Sequence, residues 1–332
     1  MNTKSNRRSF LKKSAAAALS APLVMSLEEY ALAGQGSAAA PSAAAPSARA
    51  TLPTGAIGKI KVSRLICGGN LINGYAHSRD LIYVSSLLKH YFTEEKIMET
   101  WSLCEQHGIN TMILYPGDAQ AVSLYGKYRA RGGRIQYLAQ ISPGKDDLKN
   151  EVQRAKDAGA VGAFLVGNLS DAWTRDGDVK LIGQLLSMIK AQGLVAGVAA
   201  HELRTVKAVE KAVEQAGVAP DFYMKTLHDT NYWSKRRPDQ LQEVIDNYGV
   251  DNYWCMDPKE TIAYMDDLPR PWIAYKVLAA GAIDPKAGFR HAFQNGADFV
   301  AVGMFDFQIA EDVAVANEVL KTTQNRERSW HG

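Results

Sequence analysis

Cysteine is scarce in this sequence. The 332 residues include three, Cys67, Cys104 and Cys255, and no two form a Cys-x-x-Cys pair. That excludes a zinc ribbon and a dithiol redox centre. Cys67 lies in an apolar run and Cys104 in a helical pattern, so both read as small core residues, while Cys255, in Tyr253-Trp254-Cys255-Met256, is a candidate to line a site. Basic runs are short too, none longer than Lys235-Arg236-Arg237. The formal charge of +3 belongs to residues 1–27, which hold Lys4, Arg7, Arg8, Lys12 and Lys13 and no acid. Without these five, 33 basic residues face 35 acidic ones, a net −2. Nucleic-acid binding is therefore not expected. There are no heptads to set an oligomeric state. No dinucleotide fingerprint follows the first strand: Cys67-Gly68-Gly69-Asn70 runs on into Leu71 and Ile72 without the Gly-x-Gly-x-x-Gly spacing.

What is present, 46% hydrophobic and 22% charged residues, suits a soluble globular core. The chain begins with Asn6-Arg7-Arg8-Ser9-Phe10-Leu11-Lys12-Lys13, which resembles the twin-arginine export motif. The apolar stretch Ala15 to Leu27 is too short for a permanent membrane span, and Ala31-Leu32-Ala33 reads as a small-residue cleavage site. An uncleaved leader acting as an N-terminal anchor is the alternative. The expected organisation is a signal peptide over 1–33, an Ala/Ser/Pro-rich linker over 34–53, a folded domain over 54–325 and a tail over 326–332. This predicts contact with the twin-arginine export machinery and a periplasmic or extracellular location.

From Thr54 onward, short β-rich runs alternate with helical patterns. Strands are expected at 62–70, 110–115, 135–141, 161–168, 194–201, 221–227, 272–278 and 298–304. Helices are expected at 93–107, 118–131, 146–158, 179–192, 205–216, 238–248, 258–265, 285–295 and 309–322. Thr93 and Gly108 bracket the first of these as N-cap and terminator. Parallel strands need helical crossovers, and eight such units predict an α/β fold of the (β/α)8 TIM-barrel class.

Active residues of such barrels lie at the C-terminal strand ends. Reading those ends gives Asn70, Tyr115, Gln140, Asn168, His201 with Glu202, Lys225, His228 with Asp229, Lys276 and Asp306. Period-two alternation groups Val195, Gly197, Ala199 and His201 on one face, then Tyr223, Lys225 and Leu227, then Trp272, Ala274, Lys276 and Leu278. A lysine facing the helix layer would be buried and unpaired, so Lys225 and Lys276 are both expected in the barrel mouth, where proximity and burial would leave one neutral near pH 7. Each lysine paired with a carboxylate and merely closing the barrel is the alternative. His201 and His228 are the candidate proton carriers. With Glu202 they are also the candidate ligands of a divalent metal. His77 is expected to fold over the mouth, and Trp233 and Trp254 to form an aromatic wall for a sugar ring or to pack their loop down. Gly281 and Gly303 fall where many barrels hold phosphate, but Asp284 and Asp306 stand near them and no basic residue does.

Four segments carry a family resemblance: Ser63 to Asn70; Glu105-Gln106-His107-Gly108-Ile109-Asn110-Thr111; Tyr275-Lys276-Val277-Leu278-Ala279-Ala280-Gly281; and Ala297 to Met304. Together they resemble aldo/keto reductases over most of residues 57–320, in particular the exported twin-arginine type. The resemblance implies a barrel with an Asp after the second strand, a Tyr, and a Lys ending the third. Those places read Met112-Ile113-Leu114, Tyr125 and Gln140. Without the Asp and Lys a phenol near its ordinary pKa is a poor proton donor, so NADPH-dependent reduction by the family mechanism is not expected. A shorter resemblance links Asp221-Phe222-Tyr223-Met224-Lys225-Thr226 and Ala274-Tyr275-Lys276 to Schiff-base aldolases of the deoxyribose-phosphate type. It implies an imine on Lys225, tuned by Lys276. The expected function is lyase- or isomerase-type chemistry on a carbonyl-bearing or sugar-like small molecule. The alternatives are an aldo/keto-reductase-like oxidoreductase with a rearranged site and a non-catalytic glycan-binding barrel.

Overall fold

A computed structural model describes residues 52–79, 81–215, 217–237, 239 and 251–331. The leader, nearly all of the linker and the helix expected at 238–248 lie outside the described residues.

An antiparallel hairpin opens the domain, β1 (Thr54–Ile57) and β2 (Ile60–Ser63), turning at Gly58 with φ +55°. Eight strands then follow: β3 (Leu65–Cys67), β4 (Thr111–Leu114), β5 (Gln136–Ile141), β6 (Gly162–Leu165), β7 (Val195–Ala200), β8 (Phe222–Thr226), β9 (Trp272–Tyr275) and β10 (Phe299–Val302). They pair in that order, all parallel, and β10 returns to β3, closing the barrel. The expected (β/α)8 class is therefore the observed one.

Helices α1 (Tyr83–Tyr91), α2 (Glu94–Gln106), α3 (Ala119–Ala130), α4 (Leu148–Asp157), α5 (Gly167–Arg175), α6 (Val179–Ala191), α7 (Leu203–Glu214), α8 (Pro258–Asp266), α9 (Pro285–Gln294) and α10 (Ile309–Thr322) join the strands. Their starts follow side-chain chemistry. Thr93 accepts from Lys96 N, Asp118 from Gln120 N and Ala121 N, and Asp284 from Lys286 N, each satisfying an amide that the first turn leaves unpaired. Helix α5 lies where a strand was expected to continue to Asn168. Its first residue is Gly167, and β6 stops at Leu165.

Side chains divide into two layers. Ile66, Leu138, Phe164, Phe222, Met224 and Ile273 fill the barrel interior. Leu65, Cys67, Tyr137, Tyr223, Trp272 and Ala274 pack outward against the helices. This corrects two of the three face assignments. On β7, Val195 and Ala199 do point inward, but on β8 the inward residues are Phe222 and Met224, and on β9 they are Ile273 and Tyr275. All three cysteines are free and buried, Cys255 among them, and none lines either of the two cavities bordered by His201 and Trp254.

The hairpin closes the bottom of the barrel, where Ile57, Ile60 and Val62 join the interior cluster. Residues 326–331 close the same end. Asp298, fully buried before β10, accepts from Arg326 Nη2 at 2.8 Å and Arg328 Nη1 at 2.7 Å, and Trp330 stacks on the guanidinium groups of Arg64 and Arg326. With the bottom sealed twice, only the top is left open for chemistry. Among the described residues no helix is long and apolar enough to cross a membrane.

Candidate active site

The mouth at the C-terminal strand ends is a cavity of about 600 Å³. Asn70, Tyr115, Gln140 and Asn168 line it, from the loops after β3 and β4, from β5 itself and from the start of α5. So do His77, His201, Trp254 and Lys276. The remaining candidates lie elsewhere, each for a definable reason.

Lys225 does not enter the mouth. Its neighbour Met224 takes the inward position, so Lys225 points into the helix layer, 1% exposed. There its Nζ donates to Thr226 O and Thr226 Oγ1, both at 3.0 Å, which removes the objection that an outward lysine would be unpaired. Burial lowers its pKa, opposed by Cys255, Asp171 and Glu202. It lines a second cavity of about 400 Å³, which borders the mouth through the shared His201 and Trp254 and is also lined by Glu202, Arg204, Lys207 and Glu260. His228 is committed to the backbone: Nδ1 donates to Asp229 O, and Nε2 accepts from Trp254 N and Cys255 N, all at 2.9 Å. Both ring nitrogens hold the sixth loop in place, so His228 neither coordinates nor shuttles protons. Glu202 pairs with Arg175 and Arg204. His201, Glu202 and His228 therefore do not converge as a metal triad, and no group of three ligating side chains exists among the described residues. Trp233 is 86% exposed and leaves Trp254 as the aromatic wall. Tyr125 donates to Ile135 O under the helix layer, away from the mouth. Asp306 binds Lys96 and Tyr91.

Lys276 reaches the mouth in spite of the periodicity. Strand β9 ends at Tyr275, and Lys276 adopts φ +62°, a left-handed conformation rare outside glycine, which breaks the alternation and turns the side chain inward. Its Nζ lies 3.7 Å from the Trp254 ring centroid and 3.2 Å from His77 Nε2. Burial disfavours the ammonium more than Asp251 favours it, and brings Lys276 down to about 7. His77, itself at φ +52°, is 2.6 Å from Asn70 Nδ2 and packs edge-on against Trp254. Arg79 pairs with Asp251 at 3.1 Å, tying the first loop to the sixth and fixing His77 over the cavity.

Just after β7, two strands from β9, His201 Nδ1 lies 3.0 Å from Asp171 Oδ2. Fully buried Asp171 also accepts from His201 N, Glu202 N and Thr205 Oγ1, so it is held as an acceptor and orients the imidazole with its proton on Nδ1. Burial lowers His201 to about 4, against the opposing pull of Asp171, leaving a neutral ring with its acceptor on Nε2. Tyr275 lies beside it, ring centroids 5.6 Å apart. A Cβ on Gly167 would stand 2.6 Å from the Tyr275 hydroxyl and 2.9 Å from His201 Nδ1, so glycine is required where α5 begins. Tyr275 and Asp171 were absent from the strand-end list. Correct parity on β9 would have exposed the first, whereas the second sits on a helix with no sequence signal of its own.

The fold and mouth define a (β/α)8 barrel whose cavity is lined by a half-buried, near-neutral lysine and a neutral histidine. No family model and no curated protein matches the chain. Solved structures do. A chain described as "putative aldo-keto reductase from Pseudomona aeruginosa" is similar over 83% of this chain and 99% of its own, at 16% identity and TM-score 0.52. A phospho-2-dehydro-3-deoxyheptonate aldolase from Thermotoga maritima matches over 83% and 75%, at 9% identity and TM-score 0.50. The likeness is one of fold alone, a (β/α)8 TIM barrel.

Proposed function

We propose that this protein is an exported enzyme that uses Lys276 as an amine nucleophile on a carbonyl-bearing, sugar-like small molecule, in lyase- or isomerase-type chemistry. The observation that carries the reading is Lys276 itself: in the mouth, brought to about 7 by burial and held between Trp254 and His77. The neutral amine adds to the carbonyl carbon. The carbonyl oxygen gains protons and leaves as water, and the C=N bond of an imine forms. His201 and Tyr275, which line the same cavity, are the groups placed to move the protons. Export rests on the twin-arginine-like leader, and with it a periplasmic or extracellular location. The lining weighs against a nicotinamide cofactor, because among its described residues there is no arginine and no lysine besides Lys276 to receive the phosphates.

Borohydride reduction in the presence of small aldehydes and ketones, followed by peptide mass spectrometry, tests the reading. The expected adduct is on Lys276. Its yield rises as the pH passes through 7, because the attacking amine must be neutral, and Lys276→Ala abolishes it. No adduct across a broad panel, or one that persists in Lys276→Ala, would refute it.

A further inference from the structure

One acid lines the mouth that the mechanism does not use. Asp312, in the first turn of α10, is 4% exposed. It forms part of the cavity wall with Gly281, Gly303 and Gln308, on the loops after β9 and β10. No hydrogen bond or ion pair engages it among the described residues, unlike Asp306, Asp298 and Asp284, each of which has partners. An acid in a first helical turn complements the helix dipole, but an exposed one does so equally well, as Glu311 next to it shows. A buried carboxylate with no donor is costly, and the cost is recovered when a donor arrives.

The place it occupies is informative. Many barrels bind phosphate on the loops after strands seven and eight and at a neighbouring short helix. Here the equivalent wall carries a carboxylate, and among the described lining residues the only other Asp, Glu, Lys or Arg is Lys276, whose amine burial has brought to about 7. A phosphate dianion would meet repulsion there, and an ammonium would find its one counter-ion.

We propose that Asp312 is the subsite for a cationic amino group, so that the mouth takes an unphosphorylated amino-carbonyl compound of the amino-sugar class. The assignment rests on the reading of Lys276 as the carbonyl-binding group, which sets the other end of the ligand. Burial, reinforced by Glu311 and Asp284, raises Asp312 to about 6, and a bound ammonium would reverse that shift.

Isothermal titration of the full chain with glucosamine, glucose and glucose 6-phosphate at neutral pH tests the subsite directly. Glucosamine is expected to bind at least ten-fold more tightly than glucose, and glucose 6-phosphate more weakly than either. The preference for glucosamine should vanish in Asp312→Asn and survive in Lys276→Ala. Equal affinity for glucosamine and glucose, tighter binding of the phosphate ester, a preference that persists in Asp312→Asn, or no binding of any of the three would each overturn the proposal. The wild-type ranking is decisive even if a variant fails to fold. Failure of borohydride trapping removes the Lys276 reading, whereas failure of this ranking removes the Asp312 assignment alone.

Discussion

His201 and His228 are both held neutral, toward different ends. His201 is oriented by Asp171 at the cavity wall, and His228 is locked by three backbone groups. Burial is the main cause in each, opposed by Asp171 for the first and by the Asp229 carbonyl for the second, and each falls from 6.5 to about 4. The unfolded chain therefore binds protons that the folded chain refuses. Stability is complete above pH 6.5 and is lost as the pH falls toward 4, by about 3 kcal/mol per histidine. His228→Gln offers an amide oxygen to Trp254 N and Cys255 N but does not titrate. Denaturant unfolding between pH 4 and 7 should show a shallower decline in that variant than in the wild type, by about 3 kcal/mol. An unchanged decline would mean that His228 is not the titrating group.

At the scale of the element, the bottom hairpin gives a sharper test of what packs where. Ile57 is fully buried in the barrel interior cluster, and Gly58 turns against Val195. Ile57→Ala should cost about 2–5 kcal/mol, read as a lower thermal midpoint with the mouth chemistry intact, because the cavity it leaves is at the opposite end from Lys276. A neutral effect would show that the hairpin is dispensable. The eight strands were legible in the sequence because a parallel sheet leaves near-continuous apolar runs between helical patterns. The hairpin was not, because its residues run on into the first strand without a turn signal stronger than Gly58-Lys59. Continuous apolar runs also hide parity. With Phe222, Tyr223 and Met224 all apolar enough to face either layer, alternation alone could not decide where Lys225 points, and the assumption that a lysine must face the mouth decided it wrongly. Lys276 was placed in the mouth through an equally wrong parity and arrived there because its backbone departs from the strand.

At the scale of the whole molecule, opposite ends of one barrel divide the labour. The top arranges polar groups around a cavity, and the bottom uses a buried ion-pair cluster for closure. Asp298 is the centre of that closure. It receives Arg326 and Arg328 on separate oxygens, accepts from Trp272 N and His331 N, and brings the chain end beneath β9 and β10. Arg328 also donates to the carbonyls of Met265, Gly296, Leu268 and Arg270, so the last residues stitch together the lower ends of two strand–helix units. A stretch read from the sequence as a tail is thus part of the barrel's packing, and its signal, two arginines and a tryptophan after a polar break, is indistinguishable from solvated charge without the third dimension. Asp298→Ala strands two guanidinium groups that are almost wholly buried, at a cost of about 3–5 kcal/mol. Deleting residues 326–332 leaves Asp298 as the uncompensated charge instead. Combining the two changes removes both partners, so thermal or chemical denaturation should show the double variant losing clearly less than the sum of the single losses. Strict additivity would place the arginines and Asp298 in separate networks and would remove the chain end from the account of how this barrel is closed.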